Sequence, residues 1–333
     1  MNNKHIKTIC DHFDLGTPIQ VPTRVYGGLL HIMWRLDTDE GSYAIKQLSK
    51  DIDLKNERVI KNYELSERIA SRFVAQGIPA VCAIAKSGKY LLMIEEGTGY
   101  LVYPWVDAKA LDQHAVSENH ALKIATILAK MHCLNLDEPK ITQSEFHTHT
   151  KEKILELIEK SERFNCPFVE HLRENQNNIL ADNEVYQKAI PILRKNIIVS
   201  HGDLDQKNVL WDIENNPILI DWESACKVNS TYDIINTAFY WSGITSRFDK
   251  DLFFKMIDAY QKSGGVINKD HVVAAGYGAF SWIDWLVYNI DRSCALGESE
   301  HKNVGVEQVN QTLATILRLQ TVMPEVIKRM DDL

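Results

Sequence analysis

The sequence predicts an α+β protein with a small, mainly-β amino-terminal lobe and a larger, mainly helical carboxy-terminal lobe. Three observations carry this reading. Short apolar runs separated by Gly- and Asp-containing turns fill residues 24–48 and resume over 81–103, on either side of one long helical segment. After Asp107 the apolar spacing turns helical. A single polar hairpin, residues 201–224, interrupts the helices.

In chain order, residues 3–13 form a short amphipathic helix. Strands are predicted over Arg24–Tyr26, Leu29–Leu36 and Ser42–Leu48, joined at Gly27-Gly28 and Asp37–Gly41, both good turn chemistry. A helix follows over Asn56–Gln76, stopped by Gly77 with Pro79 behind it. Further strands are predicted over Val81–Ala85, Tyr90–Ile94 and Leu101–Tyr103. Helices then cover Ala121–Cys133, Lys151–Arg163 and Tyr186–Lys195, the last bent at Pro191, and the hairpin gives way to a mainly helical remainder. This organisation divides the chain into 1–103, a connection at 104–107, and 108–333.

Composition bounds the function. The 333 residues suffice for two domains, and 45% hydrophobic with 25% charged residues is globular usage. A net charge of −8 argues against nucleic acid as the main partner and is compatible with a cationic small substrate. Six scattered cysteines without a C-x-x-C pair predict free thiols rather than zinc or a disulfide framework. The start carries no apolar signal-peptide core, and the longest apolar run, Val272–Ile283, is too short to span a bilayer. A cytoplasmic protein that does not engage membranes is therefore expected.

The chemistry sits in the hairpin, His-Gly-Asp-Leu-Asp-Gln-Lys-Asn-Val-Leu-Trp-Asp-Ile-Glu-Asn-Asn-Pro-Ile-Leu-Ile-Asp-Trp-Glu-Ser. Val209–Trp211 and Ile218–Ile220 read as buried strands around an Asn215-Asn216-Pro217 turn. Such a hairpin returns Asp221 to Asn208 and Asp203. Two carboxylates and an amide oxygen suit a hard cation such as Mg2+. A carboxylate left off the metal is available to orient a hydroxyl nucleophile, which is the inventory of phosphoryl transfer.

H-G-D-L-x-x-x-N-V-L followed by I-D-W-E resembles the catalytic and metal-binding segments of the aminoglycoside phosphotransferase and choline kinase-like family, small-molecule kinases with a protein-kinase-like fold. The resemblance implies that Asp203 is the catalytic base, that Asn208 and Asp221 hold Mg2+, and that ATP is the donor. It makes His201 structural and Asp233 a brace of the catalytic loop, a residue that also reads as a helix N-cap.

Ser-Tyr-Ala-Ile-Lys46 resembles the kinase strand that carries the phosphate-binding lysine. A glutamate of the following helix should hold Lys46. Periodicity favours Glu67 and the Asn-Tyr-Glu pattern favours Glu64, so both stay open. Gly27 and Gly28 occupy the place of the glycine-rich loop, where the absence of Cβ lets backbone approach phosphates. Tyr103-Pro104-Trp105-Val106 occupies the place of the hinge, whose main chain reads adenine. No G-x-x-x-x-G-K-[ST] occurs, which excludes a P-loop.

For the acceptor, the candidates are Tyr240, Trp241, Trp282, Asp284 and Trp285. Trp282 and Trp285 share a helix face by spacing, and aromatic faces beside carboxylates suit an ammonium group. His147-Thr-His149 reads as a polar loop. The reading is an ATP-dependent kinase acting on a hydroxyl of a small cationic molecule, such as an aminoglycoside or amino alcohol. A non-catalytic nucleotide-binding protein is the alternative, disfavoured because Lys46, Asp203, Asn208 and Asp221 are all present. A protein kinase is disfavoured because no A-P-E follows Asp221. The acceptor's identity and the choice between ATP and GTP are left open.

Overall fold

The computed structural model describes the chain apart from residues 27–29, 95–96, 113–114, 295–298 and 333, and apart from the side chains of 299–301. Its first half runs α1 (Asn3–Phe13), β1 (Thr23–Val25), β2 (Ile32–Asp37), β3 (Ser42–Gln47), α2 (Glu57–Ala75), β4 (Leu92–Ile94), β5 (Thr98–Pro104), β6 (Lys109–Ala110), α3 (Glu118–Leu134) and α4 (Lys151–Arg163). There follow α5 (Val169–Leu193), β7 (Ile197–Ser200), β8 (Val209–Trp211), β9 (Pro217–Leu219), β10 (Cys226–Asn229), α6 (Ser230–Trp241), α7 (Lys250–Lys262), α8 (Val272–Gly278), α9 (Trp282–Ser293) and α10 (Ser299–Asp331). These elements form two compact units. The first comprises 1–112, 138–141 and 206–225; the second comprises 113–137, 142–205 and 226–333.

In the first unit, an antiparallel sheet of order β1-β2-β3-β5-β4 places β3 at its centre. Strand alternation sends Ile45, Tyr100 and Val102 into one core with Ile6, Ile9 and Phe13 of α1. Leu48 and Leu101 join a second core with Tyr63 of α2. Lys46, which pairs with Leu101 in register, therefore belongs to the α2 face. Asn56 caps α2 by accepting from Arg58 N. The hairpin forms as β8 and β9 around Asn215, which turns with a φ of 65°.

One predicted strand is corrected. Val81–Ala85 is not a strand, because its amides go to different partners: Val81 N to Leu219 O, Ala83 N to Glu67 and Ile84 N to Val102 O. Each bond is good, but no ladder runs through them.

The second unit is helical around the short β7-β10 pair. Its α5 begins 17 residues before the predicted Tyr186. Leu172, Ile179, Tyr186 and Leu193 lie seven apart and are buried as one stripe, joined by Asn183, Ala189 and Ile190 only in the last turns, so the first half of the helix rests on one residue per two turns. That stripe is too thin to stand out in the sequence. No helix among the described residues is long and apolar enough to cross a membrane.

Candidate active site

Lys46 is 7% exposed, and a buried ammonium requires counter-charges. It donates to Asp221 Oδ1 at 2.9 Å and to Glu223 Oε1 at 2.6 Å. Burial alone would lower the Lys46 pKa, but the charges of Glu223 and Asp221 outweigh it and raise it above the usual range. Burial likewise opposes ionisation of Glu223. The His31 hydrogen bond and the Lys46 charge win, holding the Glu223 carboxyl down at about 2.

His31 completes this cluster. Its Nδ1 accepts from Ser49 N–H at 3.1 Å, which leaves the proton on Nε2 to donate to Glu223 Oε2 at 3.1 Å. Tyr63 OH stands 3.4 Å from the same Nε2. Neither His31 nor Glu223 was assigned a role from sequence. Glu223 stood in the I-D-W-E motif and was legible there as a second carboxylate. His31 carried no signal beyond its place one residue before β2.

The hairpin positions Asn208 and Asp221. Ile220 N donates to Asn208 O at 3.0 Å, continuing the β8-β9 ladder by one step and setting Asn208 opposite Ile220, the residue before Asp221. Asn208 is 3% exposed, at the end of a 3-10 turn from Gln206. Asp221 takes a left-handed conformation, φ 63° and ψ 65°, which Asp tolerates better than most residues. Trp222 after it is fully buried and stacks on Phe73 of α2, ring centroids 5.4 Å apart. This stack fixes the turn from which Asp221 and Glu223 project. Asn208 and Asp221 offer an amide and a carboxylate oxygen, the donor chemistry that fits Mg2+.

The predicted pair between Lys46 and a helix glutamate is corrected. Both Glu67 oxygens are taken, by Ala83 N at 2.7 Å and by Tyr103 OH at 2.6 Å. Burial raises the Glu67 pKa. Glu64 accepts from Tyr90 N and Leu91 N, so it anchors the approach to β4. Lys46 is satisfied instead by the two carboxylates that flank Trp222. In the proposed hinge, Tyr103 is a ladder partner of Ala44, and its hydroxyl is buried, which raises its pKa well above normal. Trp105 N bonds Ser42 O, its Nε1 bonds Asp107 at 2.9 Å, and Arg35 lies over its ring. Val106 O accepts from Ala108 N. Gly27 and Gly28 lie outside the described residues.

The residues through Asp205, Asp203 among them, belong to the second unit. Here β7 ends at Ser200, His201 is fully buried, and Gly202 takes a φ of 81° that favours glycine. Asp203 N donates to His201 Nδ1 at 3.4 Å, and Leu204 O accepts from Trp241 Nε1 at 2.9 Å. Trp241 is 1% exposed, so it is corrected from acceptor candidate to anchor of this loop. Its neighbour Tyr240 has a pKa raised by burial and by the charge of Asp203. Trp282 packs on Tyr240, ring centroids 5.7 Å apart.

Trp285 departs from its expected role. It is 40% exposed, stacks on Tyr288, and bonds Gln308. Asp284 bonds His149 Nε2 at 2.7 Å, so the His-x-His loop is held by a carboxylate. Asp233 is not the helix cap, since Asn229 caps α6 by accepting from Tyr232 N. Nor does it brace the loop backbone: among the described residues its carboxylate meets His132 Nε2 at 3.1 Å, and Tyr260 OH meets His132 Nδ1 at 2.7 Å. This buried chain ties α6 to α3 and α7, and the sequence does not show it, because His132 lies more than 100 residues from both Asp233 and Tyr260.

Comparison with known proteins gives this geometry a family. The phosphotransferase enzyme family, APH, matches residues 24–263. No curated protein sequence matches the chain. Among solved structures, a spectinomycin phosphotransferase in complex with ADP and spectinomycin covers 100% of this chain and 99% of its own, with a TM-score of 0.67 at 12% identity. The Plasmodium vivax ethanolamine kinase covers 93% and 89%, with a TM-score of 0.59 at 15% identity. The choline kinase of Streptococcus pneumoniae covers 94% and 99%, with a TM-score of 0.59 at 16% identity. At such identities the likeness is one of fold, and it is the protein-kinase-like fold that the sequence predicts. With most of its length matched by the family, the chain belongs to the phosphotransferase enzyme family and is a small-molecule kinase that moves phosphate to a hydroxyl group.

Proposed function

We propose that the chain phosphorylates a hydroxyl of a small cationic molecule with ATP and Mg2+. The observation that carries this reading is the buried Lys46 held between two carboxylates on the same hairpin as Asn208. ATP and Mg2+, when bound, supply the transferable phosphoryl group and neutralise its charge. In this reading Asn208 and Asp221 hold the metal, and Lys46 turns to the phosphates. The Tyr103–Val106 main chain receives the base, with residues 104–107 connecting the two lobes. Glu67 limits the freedom of Tyr103 through its hydroxyl, and Glu64 keeps the approach to β4 in place.

Asp203 accepts the hydroxyl proton as general base. A cationic acceptor is favoured by the Asp203 charge beside the Tyr240 and Trp282 rings, since a desolvated aromatic face contributes on the order of 2 kcal/mol to binding a cation. Spectinomycin, ethanolamine and choline kinases among its structural neighbours agree with an acceptor that carries nitrogen.

The test is ADP production with matched acceptors: aminoglycosides, amino alcohols, and neutral polyols of similar size. An amine-bearing alcohol should accelerate ADP release, and Asp203→Asn should lower kcat by about 10^3. Acceleration by neutral polyols alone would remove the cationic acceptor. Near-normal turnover in Asp203→Asn would remove the base.

A further inference from the structure

The lysine of β3 has two carboxylates, and in the proposed nucleotide complex they part company. Asp221 turns to the metal, which leaves Glu223 Oε1, 2.6 Å from Lys46 Nζ, as the carboxylate that stays with the lysine. The helix glutamates are not placed to take over. Glu67 is held by Ala83 N and Tyr103 OH, and Glu64 by Tyr90 N and Leu91 N. An ammonium has a further donor to offer a phosphate while Glu223 remains bonded to it. How Lys46 is aimed therefore depends on how Glu223 is held.

Glu223 sits in a short 3-10 turn, Trp222–Ser224, and its side chain is 25% exposed. The stacked Trp222 ring fixes the turn, but a long glutamate side chain keeps rotamer freedom there unless both oxygens are engaged. The second oxygen goes to His31. β2 pairs with β3 so that Met33 stands opposite Lys46, and residues two apart on a strand share a face, which puts His31 on the face of Lys46. Ser49, just past β3, donates its N–H to His31 Nδ1 at 3.1 Å. That bond keeps the ring proton on Nε2, which donates to Glu223 Oε2 at 3.1 Å, while Tyr63 OH is farther, at 3.4 Å. The His31 side chain is 8% exposed, so little water competes for this bond. The main chain that follows the lysine strand thus sets, through one imidazole, the acid that the lysine faces.

We propose that His31 is a positioning residue for nucleotide binding: its hold on Glu223 Oε2 fixes the direction in which Lys46 meets the phosphates once Asp221 is on the metal. A single helix glutamate was expected to do this; here Glu223 and His31 share the task. The proposal rests on the reading of Lys46 as the phosphate-binding residue.

Calorimetric titration with MgADP tests it. His31→Phe, which removes the donor but keeps a ring, should weaken MgADP binding at least about fivefold. His31→Gln restores a side-chain N–H and should recover most of that loss. In a Glu223→Ala background, His31→Phe should change MgADP affinity by less than about twofold, because its effect passes through the carboxylate. An undiminished effect there would overturn the role, since His31 would then touch the nucleotide itself. Should a variant fail to fold, 15N NMR of the unmutated protein in mildly alkaline solution decides: the His31 ring should show a protonated Nε2 and an unprotonated Nδ1, with MgADP bound as without it. A protonated Nδ1 in either state would overturn the role. Lys46→Met separates this proposal from the reading beneath it. If Lys46→Met weakens MgADP binding and His31→Phe does not, the positioning role fails and the nucleotide site stands. If Lys46→Met leaves binding unchanged, the nucleotide site itself fails, and the role of His31 with it.

Discussion

The two units hold their candidate residues differently. In the first unit, Lys46, Asp221, Glu223 and His31 form a dense ionic cluster whose members answer one another's charges. In the second unit, the loop that carries Asp203 includes a main-chain bond to a ring, Asp203 N to His201 Nδ1, and a ring bond to the main chain, Trp241 Nε1 to Leu204 O. The difference teaches where damage should fall. Removing a member of the ionic cluster strands a buried charge, so stability and activity fall together. Replacing the Asp203 carboxylate leaves the Asp203 N–His201 and Trp241–Leu204 bonds in place, so activity should fall alone.

The largest effect tests the hairpin. Asp221→Asn keeps a side chain that tolerates the left-handed backbone but removes the metal-binding charge. Turnover should drop by on the order of 10^3. Near-normal kcat at saturating Mg2+ would break the assignment and, with it, the contrast between the two sides.

Next comes acid stability. Glu223 has a folded pKa of about 2 against a reference of 4.5. It binds a proton less readily when folded, so its contribution is complete above pH 4.5 and is lost as pH falls from there toward 2. The loss is at most on the order of 3 kcal/mol. Urea midpoints measured between pH 6 and 2.5 should fall less steeply in Glu223→Gln. A parallel fall in both proteins would show that the cluster does not control acid stability.

Lys46→Met sharpens the comparison further. Removing one member of a buried pair costs about 3–5 kcal/mol, but the Asp221 side chain is 44% exposed and water relieves part of the stranded charge. A loss of about 2 kcal/mol is expected from chemical denaturation. An unchanged midpoint would mean the cluster is not a stability element.

The smallest effect belongs to Trp285→Ala. Its ring is half in solvent, so stability should change by less than about 1 kcal/mol and acceptor KM by less than about twofold. A selective tenfold rise in KM would return Trp285 to the acceptor site.

Local pattern alone determined the helix over 3–13, the helix over 151–163, the capped helix from Asn56, and the β8-β9 hairpin with Asn208 and Asp221 at its base. These depend on residues close in sequence: a periodic stripe, a cap, a turn. The family was legible for the same reason, since its motif packs three polar groups into 19 residues. Tertiary structure alone decided which acid answers Lys46. On the helix, Glu64 and Glu67 were both reasonable, yet each is consumed by backbone amides and by Tyr103, while Glu223 arrives from 177 residues away. It also decided that Trp241 is an anchor, that Trp285 faces outward, and that His132, Asp233 and Tyr260 form one buried chain. Charges and aromatic rings act over a few ångströms in space, and which ones meet depends on how distant segments pack, a relation that spacing along the chain does not carry.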